Sequence, residues 1–80
     1  MRLDKYLKVT RLIKRRTIAN EACDQGRVTV NGHVAKASYE VKTGDVLELR
    51  FGDKTMRARV LRVSEHVGKG EAQELYEVLG

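Results

Sequence analysis

Residues Arg2 to Gly32, RLDKYLKVTRLIKRRTIANEACDQGRVTVNG, read as helix, basic elbow, helix and β-hairpin. Leu3, Tyr6, Leu7 and Thr10 fall on one helical stripe, whereas Arg2, Lys5 and Lys8 step round the opposite side at a spacing of three. The first segment is therefore an amphipathic helix with one basic face. The elbow Arg11-Leu12-Ile13-Lys14-Arg15-Arg16 delivers positive charge directly before a second helix. There Thr17 is read as the N-cap, and Ile18, Ala19, Ala22 and Cys23 as the inward face. Gly26 ends that helix in a left-handed conformation. Arg27-Val28-Thr29-Val30 follows as an alternating strand, and Asn31-Gly32 is a strong hairpin signal because both residues tolerate positive φ.

The position of the charge matters more than its amount. Cations at a helix N-terminus oppose the macrodipole and cost about 0.3–1 kcal/mol each when exposed. Folding alone therefore does not favour Lys14, Arg15 and Arg16 at that point, and a local rule broken in this way marks a site. Free backbone N–H groups beside three cationic side chains suit a phosphate.

Further along, His33-Val34-Ala35-Lys36 is the return strand of the hairpin, Ala37 to Lys42 a connecting loop, and Thr43-Gly44-Asp45 a turn. In Val46 to Phe51, Leu47, Leu49 and Phe51 point to one side and Val46, Glu48 and Arg50 to the other, as in a half-buried strand. Gly52-Asp53-Lys54 turns the chain. Thr55 to Val63 continues the alternation with Met56, Ala58 and Val60 inward and Arg57 and Arg59 outward, until Leu61 and Val63 break phase at a bulge or strand end. Ser64 to Glu74 reads as a mobile loop and Leu75 to Leu79 as a last strand. The expected fold is α+β, with two N-terminal helices packed on a small antiparallel sheet of four or five strands.

Eighty residues suffice for one domain, here the 2–32 motif followed by the remaining sheet at 33–80, near the lower limit at which a single core holds without staples. A single cysteine excludes an internal disulfide, and no long apolar run or signal peptide is evident, so a soluble cytoplasmic protein with no membrane contact is expected. Residues 1–42 carry ten Lys or Arg against four acids, a net +6, whereas residues 43–80 carry six against seven, a net −1. The organising stretch thus holds nearly all the excess positive charge, which favours a polyanionic partner.

Catalysis finds little support. Cys23 lies on an apolar stripe, where a lone cysteine is a small core residue, and Cys23, His33 and His66 lack the close-paired spacing of a zinc site. Neither a phosphate-binding glycine loop nor a hydrolase motif occurs, so no enzyme activity, metal or cofactor is expected. Asp4 is instead read as an ion-pair partner that orients an arginine. With three Tyr and one Phe, of which Tyr6 and Phe51 are assigned to the core, there is no platform for stacking bases, so recognition of RNA backbone and shape is favoured. A general rRNA- or DNA-binding module, or a protein-interaction module whose basic helix docks on an acidic partner, is the alternative.

RLDKYL at 2–7, the Arg11 to Arg16 elbow, Gln25-Gly26 and RVTVNG at 27–32 resemble, in order and spacing, the S-four (alpha-L) RNA-binding domain. The remainder, including Lys42-Thr43-Gly44-Asp45 and Arg50-Phe51-Gly52, is similar to free-standing bacterial members that serve ribosome-associated quality control. The proteobacterial heat-shock member is similar over the core alone. The resemblance implies a monomer that binds large ribosomal subunits obstructed by peptidyl-tRNA, contacts large-subunit rRNA and the tRNA, and works with an RqcH-type factor during C-terminal alanine tailing. It assigns RNA contact to Arg2, Lys5, Arg11, Lys14, Arg15, Arg16 and Thr17, to which the basic helix face adds Lys8. Cys23 departs from the small apolar residue expected in the family.

Overall fold

The computed structural model describes residues 1–65, 68 and 70–79, so His66 lies outside the described residues. Helices α1 (Leu3–Val9) and α2 (Arg16–Asp24) precede strands β1 (Val28–Val30), β2 (His33–Val34), β3 (Val46–Phe51) and β4 (Lys54–Val60); a short 3-10 helix (Ala72–Glu74) leads into β5 (Tyr76–Val78). All five strands pair antiparallel in the order β2-β1-β3-β4-β5. The α+β class and the two-helix, one-sheet architecture are as expected.

In α1, Leu3, Tyr6 and Leu7 are fully buried, and Thr10 caps the helix as its hydroxyl donates to the Tyr6 carbonyl at 2.8 Å. The Tyr6 phenol crosses the core and donates to the Leu75 carbonyl at 2.6 Å. The first N–H groups of a helix have no partner within it. Here the segment from Ala35 to Lys42 supplies them: Leu3 N–H donates to the Tyr39 carbonyl at 2.8 Å and Asp4 N–H to the Ala37 carbonyl at 3.1 Å. Ala35, Ala37 and Val41 are buried, so this connection is part of the core rather than a surface loop.

Helix α2 differs from expectation in two respects. Its N-cap is Arg15, with extended backbone and no side-chain capping bond, so Thr17 lies inside the first turn and caps nothing. Ala19, Ala22 and Cys23 are buried, but Ile18 is 46% exposed because it sits at the edge of their stripe, about 100° from Ala19. At the far end Gly26 takes φ 73°. Its N–H donates to the Cys23 carbonyl and that of Arg27 to the Ala22 carbonyl, the paired bonds of a Schellman cap.

The β1–β2 hairpin turns on Asn31 (φ 52°) and Gly32 (φ 85°) between paired Val30 and His33, a type I′ turn. Both strands are shorter than their alternating sequence suggests. Asn31 also accepts from Val46 N–H through Oδ1 at 2.9 Å and donates through Nδ2 to Asp45 Oδ1 at 3.1 Å, pinning the turn to the start of β3. Leu47 and Leu49 are fully buried, whereas Phe51, expected inside, is 41% exposed because it pairs with Lys54 at the turn, beyond the last core residue of β3. Strand β4 stops at Val60. The broken phase at Leu61 and Val63 is thus a strand end: Leu61 is exposed and Val63 packs against the core. The segment read as one loop after Ser64 contains the 3-10 helix, and Leu75 precedes β5 fully buried.

Candidate nucleic-acid interface

Asp4 organises the basic face. It is buried in the first turn of α1, and its two oxygens gather groups from both helices. Arg2 donates through Nε to Oδ1 at 3.2 Å and through Nη2 to Oδ2 at 3.3 Å; Arg16 Nε lies 3.4 Å from Oδ2; Asn20 Nδ2 donates to Oδ2 at 3.3 Å; and Lys5 backbone N–H donates to Oδ1 at 2.8 Å. Burial pushes the Asp4 carboxyl up, but the bonds from Asn20 and Arg16 and the charges of Arg16 and Arg2 more than reverse this and hold it below its ordinary range.

Arg16 is therefore not the uncompensated cation that its position in the sequence suggests. The first turn of α2 contains no acid of its own, and Asp4 supplies one from α1. The result is two arginines, one at the head of each helix, held about half exposed against one carboxylate. Their planar guanidinium groups are fixed at the base, a pre-organised arrangement that matches phosphate geometry.

Around this pair lie the other predicted residues. Lys8, Arg11 and Lys14 line a groove of about 470 Å³ with Val9, Glu65, Gly68 and Ala72. Lys5 is partly buried and paired with Glu65 at 3.3 Å, which draws it away from the exposed cations. Arg15 is exposed, and Thr17 lines a shallower hollow with Asp4, Arg16, Asn20 and Glu21. Among the described residues Lys8, Arg11, Lys14 and Arg15 have no ion pair.

One residue, Asn20, and the backbone conformation of another, Arg11, are not evident from the sequence. Asn20 helps hold Asp4, and its signal is only that it lies one turn after Arg16. Arg11 adopts φ 62°, a left-handed conformation that costs a non-glycine residue about 1–2 kcal/mol. It turns the chain so that Ile13 N–H reaches back to the Leu7 carbonyl at 3.1 Å and the Ile13 side chain is buried. Glycine or asparagine is the usual choice at such a point, so an arginine there is cationic at a conformational cost.

The outer sheet face is organised differently. Arg59 lies 3.5 Å from Glu77, and Arg57 pairs in register with Glu48. Cys23 is buried, and its thiol is pushed up to about 11 by burial and then by the Asp4 and Asp24 carboxylates, so it is protonated at neutral pH and a poor nucleophile. His33 is exposed at the hairpin turn, and among the described residues no three His, Cys, Asp or Glu side chains converge as a metal site. Among the same residues no helix is long and apolar enough to cross a membrane.

The S4 domain family matches residues 1–47, which contain the whole Asp4 cluster. The chain is 62% identical over 78 residues to the RQC P-site tRNA stabilizing factor of Halalkalibacterium halodurans, covering 98% of this chain and 89% of that protein. It is 53% identical over 79 residues to the protein of the same name from Bacillus subtilis, covering 99% and 92%. Among solved structures, the trimeric Vibrio cholerae heat shock protein 15 superposes with a TM-score of 0.89 at 35% identity, covering 98% of this chain and 80% of that one. The likeness to the heat-shock protein thus extends beyond the core to which it was expected to be confined.

Proposed function

The chain belongs to the S4-domain family, alongside the RQC P-site tRNA stabilizing factors, and on that premise we propose that it is a non-catalytic protein that binds structured RNA in ribosome-associated quality control. In this reading it acts as a monomer in the cytoplasm on large ribosomal subunits obstructed by peptidyl-tRNA. It contacts large-subunit rRNA and the tRNA, and supports C-terminal alanine tailing by an RqcH-type factor. The contacts are made by Arg2, Lys5, Lys8, Arg11, Lys14, Arg15, Arg16 and Thr17.

The observation that carries this reading is the Asp4 cluster. A single buried carboxylate aligns Arg2 and Arg16 from two helices, and among the described residues Lys8, Arg11, Lys14 and Arg15 have no ion pair. An ordinary solvated face needs no such alignment. Few aromatic side chains accompany the cations, which supports grip on backbone and shape over base stacking. Tyr6, an aromatic within the basic helix, is buried in the core.

Sedimentation with large subunits tests the reading, before and after nuclease treatment and across a salt series. Co-migration should disappear with the RNA. If about five phosphates are contacted, affinity should fall roughly a hundredfold between about 50 and 200 mM monovalent salt. Binding that survives nuclease, or that hardly responds to salt, would point to a module docking on an acidic protein.

A further inference from the structure

At the end of α2 remote from Arg16 stands a second pair of arginines. Arg50 N–H donates to the Arg27 carbonyl at 2.9 Å, which sets the two residues opposite each other one step beyond the paired Val28 and Leu49. Like charges facing each other on neighbouring strands repel. Both side chains are exposed, and neither has an ion pair among the described residues, although Asp24 and Asp53 lie close in sequence. Arg27 and Arg50 line a common hollow of about 270 Å³ with Gln25, Gly26 and Gly52. Two of its five lining residues are glycines, with φ 73° and 58°, so a ligand can approach the backbone without meeting a Cβ.

A purely structural account covers only half of this. The carbonyl end of α2 carries partial negative charge, and its last turn contains no basic residue, so Arg27 offsets the dipole. Arg50 belongs to a strand and faces the arginine that already does so. Two arginines and two glycines that line one hollow offer guanidinium groups and open backbone to a doubly coordinated oxyanion.

We propose that the Arg27–Arg50 hollow is a second phosphate-binding site, which takes a backbone phosphate of the folded RNA held at the Asp4 cluster. This rests on the RNA-binding reading above. Helix α2 separates the two sites by about 12 Å along its axis, so one folded RNA reaches both. The first site fixes the RNA at the helix heads, and the second fixes its orientation by adding a distant point of contact.

The test compares wild type with the Arg27→Gln/Arg50→Gln and Arg15→Gln/Arg16→Gln double variants for binding to purified large subunits over a salt series. In parallel, inorganic phosphate is titrated while the amide resonances of Gly26 and Gly52 are followed by NMR. The Arg27→Gln/Arg50→Gln variant should bind about five- to tenfold more weakly at moderate salt, with the salt slope reduced by about one to two. Phosphate should shift Gly26 and Gly52 in wild type and leave them still in that variant. Relief of the like-charge pair offsets the loss of Arg27 at the carbonyl end of α2, so the variant should melt within a few degrees of wild type, which separates lost contact from lost fold.

An unchanged affinity and slope, with the Arg15→Gln/Arg16→Gln variant still impaired, would overturn the second site and leave the RNA reading standing. Phosphate shifts without any change in subunit binding would assign the hollow to a small phosphate compound and overturn RNA as its occupant. If the Arg15→Gln/Arg16→Gln variant bound normally, the RNA-binding reading itself would fall.

Discussion

Asp4 and Asp45 are alike in burial and unlike in company. Both oxygens of each are hydrogen-bonded, and in each case burial raises the carboxyl while its donors more than reverse the rise. The donors to Asp4 include two arginines that project from the surface. Those to Asp45 are neutral: Asn31 Nδ2 at 3.1 Å, the Tyr39 hydroxyl at 2.9 Å and the Lys42 backbone N–H at 2.9 Å. Asp45 thus ties the hairpin turn, the Ala35 to Lys42 segment and the start of β3 into one piece, whereas Asp4 holds two cations at the surface. A buried carboxylate can serve either scaffold or site, and its donors decide which.

The largest effect expected from this contrast is on stability at Asp45. Asp45→Ala leaves the Asn31 amide, the Tyr39 hydroxyl and the Lys42 N–H without their acceptor, a loss of about 2–3 kcal/mol. For a domain of this size that lowers the melting temperature by roughly 10–20 °C. RNA affinity of the folded fraction should stay near wild type. Thermal unfolding within a few degrees of wild type would dissolve the distinction between the two aspartates.

Next in size is binding at the Asp4 cluster. Arg16→Ala should lose about 1.5–3 kcal/mol of affinity for large subunits, whereas Arg57→Ala or Arg59→Ala, on the outer sheet face, should lose under about 0.5. Arg16 is about half exposed, so its stability should change by less than about 1 kcal/mol. Equal binding losses in all three variants would mean that net charge alone attracts the RNA. An unfolded Arg16→Ala would make that arginine structural.

The smallest effect appears only in acid. A carboxyl whose folded pKa lies below its unfolded value, here near 3.8, adds stability above that value and loses it as pH falls through the folded pKa. Urea midpoints should therefore decline as pH drops below about 4, and Asp4→Asn and Asp45→Asn should each flatten that decline. Identical slopes in wild type and both variants would show that neither carboxylate is stabilised as an anion.

Local patterns in the sequence foretold what depends on neighbours in the chain. The Leu3, Tyr6, Leu7 and Thr10 stripe, the left-handed Gly26, the Asn31-Gly32 turn and the alternation of β3 at Leu47 and Leu49 each follow from spacing or backbone chemistry within a few residues. What failed depends on distant parts. The Thr17 hydroxyl suggests a cap, but the N-cap is Arg15 and the acid that faces the α2 head is Asp4, on another helix. Composition and phase point Ile18 and Phe51 inward, but both lie at the margins of buried patches whose extent is set by packing. The Asp45 junction joins residues 14, 6 and 3 positions away, and no periodicity signals it. In the site itself the cations were visible as a cluster, but the alignment of Arg2 with Arg16 and the left-handed Arg11 emerged only once both helices were in place.

The Tyr6–Leu75 hydrogen bond joins residues 69 apart, and this separation has a consequence for biogenesis. During synthesis Tyr6 is added to the chain long before its partner carbonyl exists. At about 5–20 residues per second the interval is roughly 3–14 s. Throughout it the Tyr6 phenol has no interior acceptor, and the site-bearing helix lacks the last element that closes over its buried face. The half that carries the Asp4 cluster is thus translated first and completed last, so a nascent copy cannot finish its core until Leu75 has been added.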